Sequence, residues 1–545
     1  MTDRSDAFRP PFDDPAAQLR APYLEAVAAF ARRGPRRYFV PGHTGGPGAD
    51  PGLVGEIGRS AFALDIPQDM PGVDATPIAW PGLPAPPTPI EQAELLAADA
   101  YGAGRSWFLT NGATQGNHAT MLALAPTGTE IIVQRNSHGS VVDGLVLSGG
   151  TPRFVAPGYD GDLGMATVVS PEQLREAVRR HPQAAAVTLV SPTYFGMVAD
   201  IAGCARVAHE AGMLLLVDCA WGPHFGFHED LPASALRQGA DVVLTSTHKH
   251  GGSLTQSAIL HVASGSFPGA AGPERLARVQ HDVGRALRMM RSTSPSSLLM
   301  ASLDGARRQL AAHGAGLLDV TIARVRALSH EIGAIDGCRV VGPSHPAAPF
   351  PGVVAHDPLR VVIDVRGTGH TGLDLQRRLR DELDTVVELA TDATVVLVIG
   401  VQAPESLVRE FPSALKRALR TNRPSGRPRR TTPAPAVPGE TVLTPRDAYQ
   451  SAREAVAPEQ AIGRVAAEAI SGYPPGIPAV LPGELVTDEA VRHLVTLRDA
   501  GVRLHGAADP ALGTMLVVRT DDAAAPAAAA APVAVAAEAA TDDGA

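Results

Sequence analysis

The sequence predicts an α/β protein whose main domain is built on a parallel sheet covered by helices. Short apolar segments alternate with helical segments between residues 91 and 263. Several of these apolar segments are followed by polar or glycine-rich loops. A strand that is apolar throughout, with helices before and after it, is typical of a sheet buried on both faces. With 45% apolar residues in a chain of 545, a large core is available.

The elements follow from hydrophobic periodicity and turn residues. Helices are predicted at 22–33, 91–101, 116–125 and 202–211, with an arginine-rich helical region at 274–332. Strands are predicted at 38–43, 106–110, 130–134, 152–155, 185–190, 213–218 and 241–246. Residues 65–90 contain many prolines, which predicts an irregular loop.

Composition shifts along the chain predict its domains. Proline, arginine and threonine dominate residues 421–440, as in a linker, and alanine dominates a tail predicted to be disordered. The predicted parts are an N-terminal arm (1–34), a large domain (35–332), a small α/β domain (333–420), the linker (421–440), a C-terminal α+β domain (441–519) and the tail (520–545).

Charge and cysteine content exclude several classes of protein. The net charge of −9 gives no basic surface for nucleic acid or for an acidic membrane. The three cysteines are scattered, which favours a reduced, cytoplasmic protein and no metal site. No apolar stretch is long enough to span a membrane, and no signal peptide is expected.

Lysine is very rare in this chain. Of 47 basic residues only Lys249 and Lys416 are lysine, and the other 45 are arginine. Codon bias explains Lys416, which lies in a mixed helical pattern. Lys249 directly follows a predicted buried strand, in the segment Ser246–Gly252. Lysine can lose its proton and attack a carbonyl group, which arginine cannot do, so Lys249 is a candidate nucleophile.

Three further loops follow predicted strands, where open α/β sheets bind ligands. The turn Asn111–Asn117 leaves backbone N–H groups free at a helix start and suits a phosphate. His138 and Asp218 each follow an apolar strand. Taken singly, each has an ordinary explanation as a loop connection, a loop histidine or a structural ion pair.

Together these loops supply a phosphate cradle, an imidazole to stack on a ring, a carboxylate for a pyridinium nitrogen and a lysine for a Schiff base. That set is what pyridoxal 5'-phosphate requires. The sequence therefore predicts this cofactor, with Lys249, His138 and Asp218 as the catalytic residues.

The chain resembles the Orn/Lys/Arg decarboxylase family of fold-type I (aspartate-aminotransferase-like) pyridoxal-phosphate enzymes, in its short form without an N-terminal wing domain. The resemblance covers roughly residues 35–520. The motifs that carry it are Phe39–His43, Asn111–Asn117, Arg135–His138, Thr193–Gly196, Asp218–Trp221, Ser246–Lys249, Ser292–Ser296, Leu299–Asp304, Tyr473–Pro478 and Pro482–Glu484.

The resemblance implies a role for each matching residue. Lys249 forms the Schiff base, Asp218 pairs with the pyridine nitrogen, and His138 stacks on the ring with Ala220 beneath it. Glu484 reads the distal cation of the substrate, and Thr293 reaches the phosphate of a neighbouring subunit in a homodimer or larger homo-oligomer. The residues around the phosphate are Ala113, Thr114, Gln115, Ser246 and His248.

The implied reaction is α-decarboxylation of a basic L-amino acid, with arginine favoured over lysine or ornithine, to a polyamine-type amine. Residues that bind the cofactor do not select which bond at Cα breaks, so an aminotransferase or lyase reaction stays open. A non-catalytic regulatory homologue is a further alternative. Departures from the family pattern at Ser297, Trp221 and Asp65–Asp74 concern the substrate more than the cofactor.

Overall fold

The computed structural model describes residues 15–68, 70, 73, 87–265, 271–420, 438–473, 477–499 and 501–519. The predicted arm before residue 15, most of the proline-rich loop at 65–90, most of the 421–440 linker and the 520–545 tail lie outside these residues. Among the helices of the described residues, none is long and apolar enough to cross a membrane.

A seven-stranded sheet forms the centre of the large domain. The strands of this domain are β1 (Arg105–Leu109), β2 (Glu130–Gln134), β3 (Thr151–Val155), β4 (Tyr159–Asp160), β5 (Met165–Ala166), β6 (Ala186–Val190), β7 (Met197–Ala199), β8 (Leu214–Asp218), β9 (Val242–Thr245) and β10 (Ala258–Val262). The order in the sheet is β1-β10-β9-β8-β6-β2-β3. Only β10 runs antiparallel to its neighbours in this sheet, so the predicted parallel-type sheet is confirmed.

The large domain's helices cover the two faces of this sheet. Every residue of β6 and β8 is buried, as a doubly covered parallel sheet requires. The helices are α1 (Pro22–Arg33), α2 (Pro51–Ile57), α3 (Arg59–Leu64), α4 (Pro89–Tyr101), α5 (Gly112–Leu124), α6 (Gly139–Ser148), α7 (Pro171–Arg180), α8 (Ile201–Glu210), α9 (Thr247–His250), α10 (Pro273–Met290) and α11 (Ser297–Gly333).

Two predictions of secondary structure are corrected. The apolar residues at 38–43 form turns and bends and no strand, because Tyr38 and Val40 are 91% and 71% exposed and have no sheet to pack against. The helical region at 274–332 is two helices, since the Ser296 side chain caps a new helix by accepting from the Leu299 N–H at 3.4 Å.

The small domain packs two helices on a four-stranded antiparallel sheet of order β11-β13-β15-β14, while β12 pairs with β7 of the large domain. Its elements are β11 (Arg339–Val340), β12 (Val353–His356), β13 (Arg360–Asp364), α12 (Gly372–Leu383), β14 (Leu389–Ala390), β15 (Thr394–Val398) and α13 (Glu405–Leu419).

The C-terminal domain has its own apolar cluster, which includes Ile470, Leu494 and Val517. Two small sheets form it, β16-β20 and β18-β17-β19. Its elements are α14 (Pro445–Gln450), β16 (Arg453–Val456), α15 (Pro458–Ala461), β17 (Ile470–Tyr473), β18 (Pro478–Val480), α16 (Asp488–Asp499), β19 (Arg503–His505) and β20 (Met515–Val518).

Candidate active site

The carboxyl ends of the parallel strands meet at one edge of the sheet, and a cavity of about 790 Å³ adjoins that edge. Thr114 lines it from the first turn of α5, His138 from the loop after β2, and Tyr194 from the loop after β6. The C-terminal domain closes the other side with residues that include Glu468 and Ser471. A concave site between domains, at the carboxyl edge of such a sheet, is where small molecules bind.

Lys249 lies in the short helix α9, which starts directly after β9. Burial lowers the pKa of its ammonium group from 10.5 to about 8, while the negative charge of Asp218 raises it and the positive charge of Arg360 lowers it. Its Nζ lies 3.7 Å from the ring centroid of Trp221. A lysine with such a pKa is partly uncharged near neutral pH, as a nucleophile must be.

Asp218 ends β8 and is 6% exposed. Its Oδ1 accepts from the Ala220 N–H at 3.1 Å, and its Oδ2 accepts from Asn117 Nδ2 at 3.2 Å. Among the described residues no cationic side chain forms an ion pair with it. A buried carboxylate without a cation is costly, so this position suits a protonated ring nitrogen.

A chain of hydrogen bonds joins His138 to Asp218. His138 Nδ1 accepts from the Ser140 N–H at 3.2 Å and lies 2.7 Å from Ser140 Oγ. Asn117 Nδ2 donates to Ser140 Oγ at 2.9 Å as well as to Asp218. With both Ser140 groups directed at Nδ1, the ring proton of a neutral His138 is on Nε2. The predicted ring-stacking and pyridine-binding residues are therefore connected through two residues that the sequence had not singled out.

The predicted phosphate residues lie at the starts of two helices. Ala113, Thr114 and Gln115 form the first turn of α5, where Asn111 makes no side-chain cap and leaves N–H groups free. Gln115 is buried, and its Oε1 accepts from the Asn111 N–H at 3.3 Å, so this side chain shapes the turn. Ser246 precedes α9, again without a side-chain cap.

The other predicted contacts occupy different surroundings. His248 is half-buried beside Lys249, and burial followed by the lysine charge lowers the pKa of its imidazole. Ala220 is partly buried directly after Asp218 and Cys219. Thr293 is exposed in the turn between α10 and α11 and does not line the cavity.

The indole ring of Trp221 packs against Lys249. The guanidinium carbon of Arg360 lies 3.8 Å from the centroid of the same indole. Arg360, the first residue of β13, also donates to the Tyr194 carbonyl oxygen. The small domain thereby contacts the floor of the site through a residue 111 positions after Lys249, a contact that local sequence patterns do not predict.

A buried histidine cluster lies beneath the indole. His224 Nε2 lies 3.1 Å from Asp357 Oδ1, and the rings of His224 and His250 are 4.6 Å apart. Neither ring nitrogen of His250 has a hydrogen-bond partner. Burial lowers the pKa of His250 well below its ordinary value, and His224 lowers it further. His250 is therefore neutral and packs as an apolar ring would.

Glu484 has a different role from the predicted one. It is 1% exposed and forms a bidentate ion pair with the buried Arg135, through Nη1 and through Nη2 at 2.9 Å. Its Oε2 also accepts from the Leu481 N–H at 2.9 Å. Arg135 compensates its charge, and Glu484 is not among the residues that line the cavity. Glu484 therefore joins the C-terminal domain to the loop that carries His138 and is not available to a substrate.

The donor set fits pyridoxal phosphate. Asp218 supplies a buried negative charge without a cation, Lys249 a deprotonatable amine, and the α5 start with Ser246 a set of free N–H and hydroxyl groups. Within the described residues no group of three or more His, Cys, Asp or Glu is arranged to bind a metal ion.

Comparisons with known proteins agree with this geometry. The family model for the major domain of Orn/Lys/Arg decarboxylases matches residues 21–348, and the model for their C-terminal domain matches residues 431–521. An arginine decarboxylase of Bacillus subtilis is 32% identical over 93% of this chain and 99% of its own length. An arginine decarboxylase of Halalkalibacterium halodurans is 34% identical, with the same coverage.

Solved structures share the fold. A lysine decarboxylase of Francisella novicida matches 92% of this chain and 82% of its own with a TM-score of 0.75, at 18% identity. The constitutive lysine decarboxylase of E. coli matches the same shares with a TM-score of 0.73, at 20% identity.

Proposed function

We propose that this protein converts L-arginine to agmatine and CO₂. The chain belongs to the Orn/Lys/Arg decarboxylase family of pyridoxal-phosphate-dependent amino-acid decarboxylases. The choice of arginine is supported by relatives named arginine decarboxylase that match nearly the whole chain. The main observation in support of the chemistry is a pair of groups in one site. The Lys249 amine has a pKa lowered to about 8, and the Asp218 carboxylate has no cationic partner among the described residues.

Pyridoxal phosphate supplies an electron sink for the bond that breaks at Cα. Lys249 would hold it covalently, Asp218 would bind its ring nitrogen, and His138 would pack on its ring. Ala113, Thr114, Ser246 and His248 would surround its phosphate, with Ala220 beneath the ring. Gln115 acts by shaping the turn.

The protein's own groups orient the substrate and move protons. The bond between Cα and the carboxyl carbon breaks, CO₂ leaves, and a proton takes its place on Cα. Lys249 Nζ is the proposed proton donor, because a pKa of about 8 allows it to exchange a proton near neutral pH. The Asp218 carboxylate favours a proton on the ring nitrogen it faces. Trp221 and Tyr194 exclude water from one side.

The test measures CO₂ release from arginine, lysine and ornithine by the purified protein supplied with pyridoxal phosphate. Lys249→Ala is the test variant, and Lys416→Ala, which removes the exposed second lysine, is the matched control. We expect CO₂ from arginine in the wild type and in Lys416→Ala, and none in Lys249→Ala. Cofactor binding without CO₂ from any of the three amino acids would move the proposal to another reaction at Cα, identified by product analysis.

We propose that the enzyme is a cytoplasmic homodimer or larger homo-oligomer. The three cysteines are free and buried, as suits a reducing compartment. The exposed Thr293 would complete the phosphate site of the partner subunit. Sedimentation equilibrium tests the assembly, and Thr293→Ala should weaken cofactor binding without changing the fold. A monomer with full activity would contradict this part of the proposal.

A further inference from the structure

Among the described residues, the buried carboxylates lie beside an arginine or histidine side chain, with two exceptions. Among the described residues eight acidic side chains are buried. Six of them lie within 4 Å of an arginine or histidine nitrogen: Glu94, Asp241, Asp304, Asp357, Asp364 and Glu484. The two without such a partner are Asp218, which faces the cofactor position, and Glu468.

Glu468 lies in the C-terminal domain, immediately before β17, and is 7% exposed. Its Oε1 accepts from the Leu516 N–H at 2.6 Å and its Oε2 from the Ala508 N–H at 2.7 Å. Burial raises the pKa of this carboxyl group, and the two backbone N–H groups lower it. The backbone therefore fixes the orientation of the carboxylate while each oxygen keeps a lone pair for another donor.

Glu468 lines the same cavity as His138 and Tyr194, which belong to the large domain. The cavity's volume of about 790 Å³ accommodates an amino acid. Arg453 also lines it, but its guanidinium group lies over the Tyr449 ring, 5.8 Å from the centroid. Within the described part of the chain, no ion pair joins Arg453 to Glu468.

We infer that Glu468 binds the distal cation of the substrate, the role that Glu484 does not have. This inference rests on the proposed function. With its α-carbon end beside His138, a basic amino acid would extend its side chain through the cavity toward Glu468. The ligand's charge then supplies the partner that the buried carboxylate lacks, as the cofactor's ring nitrogen does for Asp218. A planar guanidinium group can donate to both carboxylate oxygens.

The first experiment compares Glu468→Gln with Glu459→Gln, which removes an exposed carboxylate of the same domain. For the amino acid that the wild type decarboxylates fastest, we expect KM to rise about 100-fold in Glu468→Gln, because a hydrogen bond between charged groups is lost. We expect kcat to change little, since the contact is the same before and during the reaction. Glu459→Gln should match the wild type.

A second readout does not depend on turnover. Agmatine, which carries the guanidinium group without the α-carboxylate, should raise the Tm of the wild-type holoenzyme by mass action. It should leave the Tm of Glu468→Gln unchanged. If the wild type prefers lysine, the proposal that arginine is the substrate fails. The Tm experiment is then done with cadaverine in place of agmatine, and it still tests whether Glu468 binds the distal cation.

Glu468→Asp separates charge from structure, since it keeps the carboxylate on a shorter arm. We expect it to bind the amine product more tightly than Glu468→Gln does, even where both variants have a lowered Tm. If both variants bind the amine product equally weakly and lose the same amount of Tm, Glu468 has a structural role and the inference is overturned. A wild-type KM and a wild-type Tm shift in Glu468→Gln would overturn it as well.

Discussion

Asn117 Nδ2 lies 3.2 Å from Asp218 Oδ2, and the same nitrogen lies 2.9 Å from Ser140 Oγ. One amide group, about one helical turn into α5, therefore holds both the Asp218 carboxylate, proposed to bind the ring nitrogen, and the serine that orients His138. Asn117 is 6% exposed, so these bonds form out of contact with bulk water. In such surroundings a hydrogen bond that orients another group is hard to replace.

Asn117→Ala should lower kcat by about 10- to 100-fold, the usual effect of removing a partner that orients a site group. It should also weaken the binding of pyridoxal phosphate, because Asp218 loses a bond that orients its carboxylate. Thr120→Ala, one turn further along α5, is the control, since the Thr120 hydroxyl bonds to the Gly116 carbonyl oxygen and not to the site. Wild-type kcat together with wild-type cofactor affinity in Asn117→Ala would remove the positioning role.

The pKa of Lys249 predicts how stability depends on pH in the protein without cofactor. Its folded pKa of about 8 lies below the ordinary value of 10.5. Below pH 8 the amine is protonated in both states, and the cost of burying the charge is fully present. Between these two values the unfolded chain binds a proton that the folded protein does not, so stability rises with pH.

The free energy of unfolding should rise by about 3 kcal/mol over this pH range, and Lys249→Met should not show the rise. Urea unfolding of both proteins at several pH values from 7 to 11 measures the difference. Tyrosines and cysteines whose pKa folding raises titrate in this range in the unfolded chain, but they are common to both proteins and cancel. A constant difference between the two proteins would show that the Lys249 pKa is not lowered by folding.

Removing one partner of the ion pair of Arg135 and Glu484 should destabilise the protein strongly, whereas replacing both partners with apolar residues should destabilise it little. Both side chains are buried, so Glu484→Gln leaves an uncompensated charge and should lower the free energy of unfolding by about 3–5 kcal/mol. Replacing both residues with methionine should recover most of this loss. The exposed pair of Asp488 and Arg492 is the control, where Asp488→Asn should cost no more than about 0.5 kcal/mol. Similar losses in the two single variants would contradict this account.

The sequence predicted the parts of the protein that local pattern determines. Apolar runs located the strands that lead to His138, Asp218 and Ser246, and Lys249, one of only two lysines, stood out after such a run. Strand β10 was missed within the predicted alternation, although its residues Ala258–Val262 are all buried. At 38–43 the same kind of apolar pattern is exposed, because local sequence does not say whether a sheet edge is nearby.

The choice between Glu484 and Glu468 could not be made from sequence. Both acids belong to the C-terminal domain and both are buried. What separates them is Arg135, which is 349 positions from Glu484 in the chain and in contact with it in the fold. Arg360 was missed for the same reason, since its contact with Trp221 depends on how the small domain packs on the large one.

The two neighbouring histidines beneath Trp221 should respond oppositely to the same substitution. His224→Leu leaves the Asp357 carboxylate buried with the Leu359 N–H at 2.9 Å but without its imidazole, and should cost about 3 kcal/mol or more. His250→Leu removes a ring whose nitrogens have no partner, so its stability should be equal or higher. Urea unfolding of both variants at pH 7 measures the contrast. A large loss in His250→Leu would mean that its ring contributes a polar contact, and equal small losses would mean that Asp357 does not depend on His224.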